Sequence, residues 1–134
     1  MNIFCFDDLL SAAKQQHQAQ RLLLVFAAAE LPADSTPEQC RRFEAGTGGA
    51  LVPNFCVDKT PEEVESFAGL VHESKQFNTH WQVVLVSTQP DDPDHHVASK
   101  KAAQALERMV ADIKGGALAN IIAFDQHGNA MVLQ

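Results

Sequence analysis

Arg21-Leu22-Leu23-Leu24-Val25-Phe26-Ala27 decides the fold. Five consecutive large apolar residues follow one arginine, and polar, helix-like sequence lies on either side. A run this short and this continuous reads as a strand buried on both faces, at the centre of a parallel sheet. A buried helix segment is the competing reading, but five residues are too few for one.

Working outward from this strand, a first helix opens near Asp7 as N-cap, with Leu9, Leu10, Ala12 and Ala13 as its apolar stripe. After the strand, Glu30-Leu31-Pro32-Ala33-Asp34-Ser35 is a loop. Thr36-Pro37-Glu38-Gln39 then carries a cap, a proline at the first helical position and a glutamine that can close a capping box. This short helix, Pro37 to Ala45, stops at Gly46-Thr47-Gly48-Gly49. Residues Ala50 to Val57 have strand composition, although Pro53 cannot donate to a ladder and assigns them to an edge or irregular strand. Thr60-Pro61-Glu62-Glu63 is a second capping box, followed by Val64, Phe67, Ala68 and Val71 at helical spacing as far as Lys75.

A second strong strand runs from Trp81 to Ser87 around Val83-Val84-Leu85-Val86. The polar stretch Gln89 to His96 is a surface loop. A long helix follows from Val97 to Lys114, with Ala98, Ala102, Ala105, Leu106, Met109 and Ile113 on one face and Gly115-Gly116 as its stop. The end reads as a hairpin: Asn120 to Phe124, a turn at Asp125-Gln126-His127-Gly128-Asn129, then Ala130 to Leu133. Strands alternating with helices predict an α/β fold: a single domain over residues 1–134, three layers α/β/α, a mostly parallel sheet of four to five strands and a C-terminal antiparallel β-hairpin.

Composition narrows the function. The 134 residues are 46% hydrophobic and 20% charged, ordinary for a soluble globular protein. A formal net charge of -7, with ten scattered Lys and Arg, argues against nucleic-acid binding, which needs a basic footprint. No stretch approaches the roughly 20 apolar residues of a membrane span, and Met1 to Asp8 lack the pattern of a secretory signal. Cytoplasmic residence is therefore expected. The three cysteines, Cys5, Cys40 and Cys56, are widely spaced and form neither a disulfide framework, a C-x-x-C redox pair nor a zinc site.

The run Arg21 to Phe26 leading to Glu30-Leu31-Pro32, then Cys56-Val57-Asp58-Lys59-Thr60-Pro61-Glu62 and the closing Phe124-Asp125-Gln126-His127-Gly128-Asn129, resembles a family of small proteobacterial proteins. Members of that family commonly carry the label ribonucleotide reductase alpha subunit. The label's chemistry needs a ten-stranded barrel, a radical cysteine, a redox cysteine pair and tyrosines for radical transfer. This chain has no tyrosine and isolated cysteines. The resemblance implies only a stand-alone bacterial α/β domain with no catalytic residues to carry over.

In an open parallel sheet, ligands bind outside the carboxyl ends of the strands. Glu30, Asp58, Lys59, Thr60, Ser87 and Thr88 come from those ends and are the candidate ligand-binding residues, with helix N-termini at Thr36 and Thr60 as an anion site. Thr60 as a plain helix cap, Asp58 and Lys59 as solvated charges, and Ser87-Thr88 as a strand end are the structural alternative. Asp94, His95 and His96, beside Asp91 and Asp92, hold the donors for a divalent metal; a solvated loop with Asp94 starting a helix is the alternative. Cys56, with His72 and His80 as conceivable partners, is the one cysteine to test as a nucleophile, against a buried structural role. Trp81 and Phe77 border the core or a partner surface. No phosphate loop, serine-hydrolase elbow or other catalytic motif occurs, so the expectation by exclusion is a protein-binding or self-associating module, using the Pro53 strand or the terminal hairpin, with no cofactor. A small enzyme or ligand-binding domain working at the strand ends is the alternative.

Overall fold

The protein is described from a computed structural model, over residues 3–30, 36–44, 50–77 and 80–131. The loop at residues 31–35, the glycine-rich helix stop at 46–49 and the last hairpin residues, 132–134, lie outside the described residues. Its elements are α1 (Phe6–Lys14), β1 (Gln20–Glu30), α2 (Pro37–Glu44), β2 (Ala50–Lys59), α3 (Phe67–Ser74), β3 (Val83–Pro90), α4 (His95–Lys114), β4 (Ile122–Phe124) and β5 (Ala130–Met131).

The five strands form one sheet in the order β2-β1-β3-β4-β5, and every ladder is antiparallel. This corrects the expected three-layer fold built on a mostly parallel sheet. The apolar run Leu22–Ala27 is central and fully buried, but burial on both faces does not distinguish the two ladder types. After β1 the chain turns through α2 and comes straight back, so that Glu30 lies opposite Ala50. It then crosses over β1 through α3. β2 and β3 consequently run in the same direction, with β1 between them running the other way.

Alternate residues of β1 enter two cores. Leu22, Leu24 and Phe26 pack with Phe6, Leu9 and Leu10 of α1, Leu70 of α3, Trp81 and Phe124. Leu23, Val25 and Ala27 pack with Ala102, Leu106, Met109 and Ile113 of α4. The helical stripe anticipated for α4 is the one buried, because its period matches a single helix face.

The segment after Thr60 departs from a continuous helix. Pro61–Glu63 is one 3₁₀ turn, Val64 is extended, and α3 restarts at Phe67 with Ser66 as its cap, the Ser66 hydroxyl accepting from the Gly69 N–H at 3.0 Å. The Glu63 carboxylate accepts from the Thr60 N–H at 2.8 Å, and that hydrogen bond holds its pKa below the usual carboxylate range. The expected capping box is thus present at Thr60 and Glu63, and again at α2, where the Thr36 N–H donates to Gln39 Oε1 at 2.8 Å and the Gln39 N–H to Thr36 Oγ1 at 3.2 Å.

The closing turn is fixed by Asp125, whose carboxylate accepts from the N–H groups of His127 and Asn129 at 2.8 and 3.0 Å. It delivers Gly128 at φ 85° against the Phe67 ring, where a Cβ would sit 3.1 Å from Phe67 Cδ2. Gly128 also accepts from the Phe6 N–H at 2.8 Å, tying α1 to the hairpin. Gly128→Ala should therefore cost about 2 kcal/mol from the left-handed backbone and the ring contact together. Urea unfolding would show this as a lower midpoint at unchanged slope. A midpoint equal to that of the parent protein would mean the turn has another conformation in solution.

Candidate functional site

Antiparallel pairing brings the start of β1 and the ends of β2 and β3 to one end of the sheet, since Leu22 faces Lys59 and Gln20 faces Pro90. Asp58, Lys59, Thr60, Ser87 and Thr88 are all at this end. Glu30 is at the other, opposite Ala50, because β1 runs against its neighbours; its side chain is outside the described residues.

Three of these residues are engaged within the protein. Asp58 belongs to an ion triad that the sequence did not disclose. Arg21, 7% exposed, donates from Nη1 to Asp58 Oδ2 at 2.6 Å and from Nε to Asp91 Oδ1 at 2.8 Å. The triad closes because strand alternation aims Arg21 and Asp58, the diagonal neighbours of one ladder, to the same face. Hydrogen bonding to Asp91 first, and to Asp58 second, raises the Arg21 pKa against the opposing effect of burial. A lone charge abutting an apolar run, in phase with Leu23 and Val25, was the available signal. Lys59 pairs with Glu73 at 2.8 Å, and the Thr60 N–H is bound by Glu63.

Ser87 and Thr88 instead line an open cleft of about 370 Å³. α4 lies across β1 and β2, so the last residues of β3 are left beside its flank rather than beneath it. The segment between α4 and β4 forms the remaining wall. Leu23, Met109 and Ile121 give the cleft an apolar floor. Its polar residues are Ser87, Thr88, Gln89, Asn120, Arg108 and Asp112. Among the described residues the side chains of Arg108 and Asp112 have no ion-pair partner. Other charges at this end of the protein are paired: Lys101 holds Asp92 at 3.2 Å, and Arg21 is shared by Asp58 and Asp91. Arg108 is therefore the uncommitted cation of the cleft. Sequence reading missed it because it borders the buried stripe of α4 and acquires its neighbours only through the fold.

The acidic loop is put to structural use. Asp94 caps α4, its carboxylate accepting from the N–H groups of His96 and Val97 at 2.9 and 3.3 Å. His95 and His96 open the helix on its exposed side. No group of three or more His, Cys, Asp or Glu among the described residues is arranged to hold a metal ion.

Cys56 is exposed on the outermost strand rather than buried in the core as the structural alternative had it; partial desolvation pushes its thiol pKa up and the Asp58 charge adds to the effect. The neutral thiol is the poorer nucleophile. Trp81 is buried, donating from Nε1 to Ser74 Oγ at 2.8 Å; the side chain of Phe77 is outside the described residues. No helix among the described residues is long and apolar enough to cross a membrane. Compared with known proteins, the chain matches no family model, no curated protein and no solved structure.

Proposed function

We propose that this protein is a small-molecule-binding domain whose ligand presents a carboxylate or phosphate to Arg108 in the cleft between α4 and the end of β3. One observation carries the proposal: an arginine without an ion pair among the described residues, beside an apolar floor and neutral hydrogen-bonding groups, in a cleft of about 370 Å³. The cleft's volume falls within the range of small-ligand pockets, which begins near 300 Å³, and its mixed polar and apolar lining suits a ligand with a charged end and an apolar remainder. A guanidinium suits the role because it stays charged and meets carboxylate or phosphate through two parallel hydrogen bonds.

Self-association through a sheet edge draws less support from the geometry. β2 is outermost, but it carries Pro53, a register break where Phe26 faces Phe55 and Ala27 faces Pro53, and Lys59. These features blunt strand pairing. At the other edge, the described part of β5 is Ala130–Met131, and Asn129 just before it already bridges to Cys5. The proposal is one of binding: among the described residues the cleft is lined by no Cys, His or Lys.

A thermal melt against monocarboxylates, dicarboxylates, inorganic phosphate and phosphate esters tests this. A ligand at about 100 times its Kd adds on the order of 2.7 kcal/mol, a rise of several degrees for a domain of this size. The rise should vanish in Arg108→Gln and persist in Asp58→Asn. A flat panel, or a rise that survives Arg108→Gln, would overturn the proposal.

A further inference from the structure

We infer that the ligand of the cleft is a zwitterion: a free α-amino acid with an apolar side chain. This rests on the anion-binding reading above and narrows it. Arg108 and Asp112 both line the cleft, one helical turn apart on α4. At that spacing Cβ atoms are about 5–6 Å apart, and opposite charges ordinarily meet. Here no ion pair joins them. The base precedes the acid along the helix, the weaker of the two orders for such a pair. The cleft thus offers one guanidinium and one carboxylate, neither neutralised by the protein.

The surroundings favour a ligand carrying both charges. Arg21 faces Gln89 of the cleft across the β1–β3 ladder, and its triad with Asp58 and Asp91 has one cation and two carboxylates. A simple anion would satisfy Arg108 but bring negative charge towards Asp112 and that triad. A simple amine would satisfy Asp112 but face Arg108. An ammonium and a carboxylate on one carbon satisfy both, with opposite charges matched at short range. Ser87, Gln89 and Asn120 supply neutral hydrogen-bonding groups, and Leu23, Met109 and Ile121 receive an aliphatic side chain.

Calorimetric titration of the full chain with L-leucine, 4-methylpentanoate (leucine without its amine) and 3-methylbutylamine (leucine without its carboxylate) tests the inference. Leucine should bind at least tenfold more tightly than either analogue. Asp112→Asn should reduce leucine to the level of 4-methylpentanoate, and Arg108→Gln should reduce it to that of the amine. Both residues are exposed, so the variants should fold, which an unchanged unfolding midpoint would verify. If leucine and 4-methylpentanoate bind equally and Asp112→Asn alters neither, the zwitterion falls while the anion site stands. If no probe binds, and the carboxylate and phosphate panel is flat as well, both fall.

Discussion

Arg21→Met is expected to destabilise the protein by about 3 kcal/mol, because it leaves two carboxylates without their shared cation. Asp58 and Asp91 keep side-chain exposures of 32% and 19%, and this partial solvation sets the loss at the low end for a broken buried pair. The triad ties the first residues of β1 to the last of β2 and to the segment after β3. Its loss should therefore loosen the end of the sheet beside the cleft. Arg21→Met with Asp58→Asn and Asp91→Asn should recover much of the loss, since neutral amides remove the stranded charges. Urea unfolding of the two variants measures both effects. A loss below about 1 kcal/mol for Arg21→Met would mean the triad is open in solution and behaves as a surface pair.

Phe26→Ala should be at least as damaging, costing about 3–5 kcal/mol. Phe26 is 1% exposed, stacked on Phe55 at 4.4 Å and edge-on to Trp81 at 5.0 Å. Truncation forfeits the burial of a large ring and both aromatic contacts, and it leaves a cavity between β1 and α3. Trp81 cannot easily swing in to fill that space. Its indole N–H is held by Ser74, whose hydroxyl donates to the Val71 carbonyl at 2.6 Å, and its carbonyl accepts from Gln126 at 2.6 Å. The midpoint of thermal unfolding should drop by on the order of 10 °C. As the single tryptophan, Trp81 reports the change directly, its emission shifting to the red as water gains access. A drop of a degree or two would imply that the core closes over the gap.

The sequence disclosed individual elements better than their assembly. Leu22–Ala27 and Val83–Val86 are legible as buried strands because apolar residues run without alternation. The stripe of α4 is legible because its spacing is helical. Strand direction is a different matter. It depends on where each connection returns the chain, and β2 lies beside β1 in the opposite sense even though α2 stands between them in the sequence. A helix between two strands therefore does not require that they be parallel neighbours.

The site was legible in the same partial way. Ser87 and Thr88 stand out as a polar end to an apolar strand. Arg108, Asp112 and Asn120 come from a helix flank and a connecting segment, and only the placement of α4 over β1 and β2 brings them to the same cleft. Asp58, for which a solvated charge was the structural alternative, is instead paired with the buried Arg21.

Mapping 4-methylpentanoate onto the ¹⁵N-labelled protein by amide chemical shifts tests the cleft most directly. Shifts that saturate together at Ser87, Gln89, Arg108 and Ile121, with Asp58, Lys59 and Thr60 unmoved, are the result expected. Saturating shifts at Asp58, Lys59 and Thr60, with the residues of the cleft unmoved, would contradict it and return the binding site to the strand ends on the β2 side.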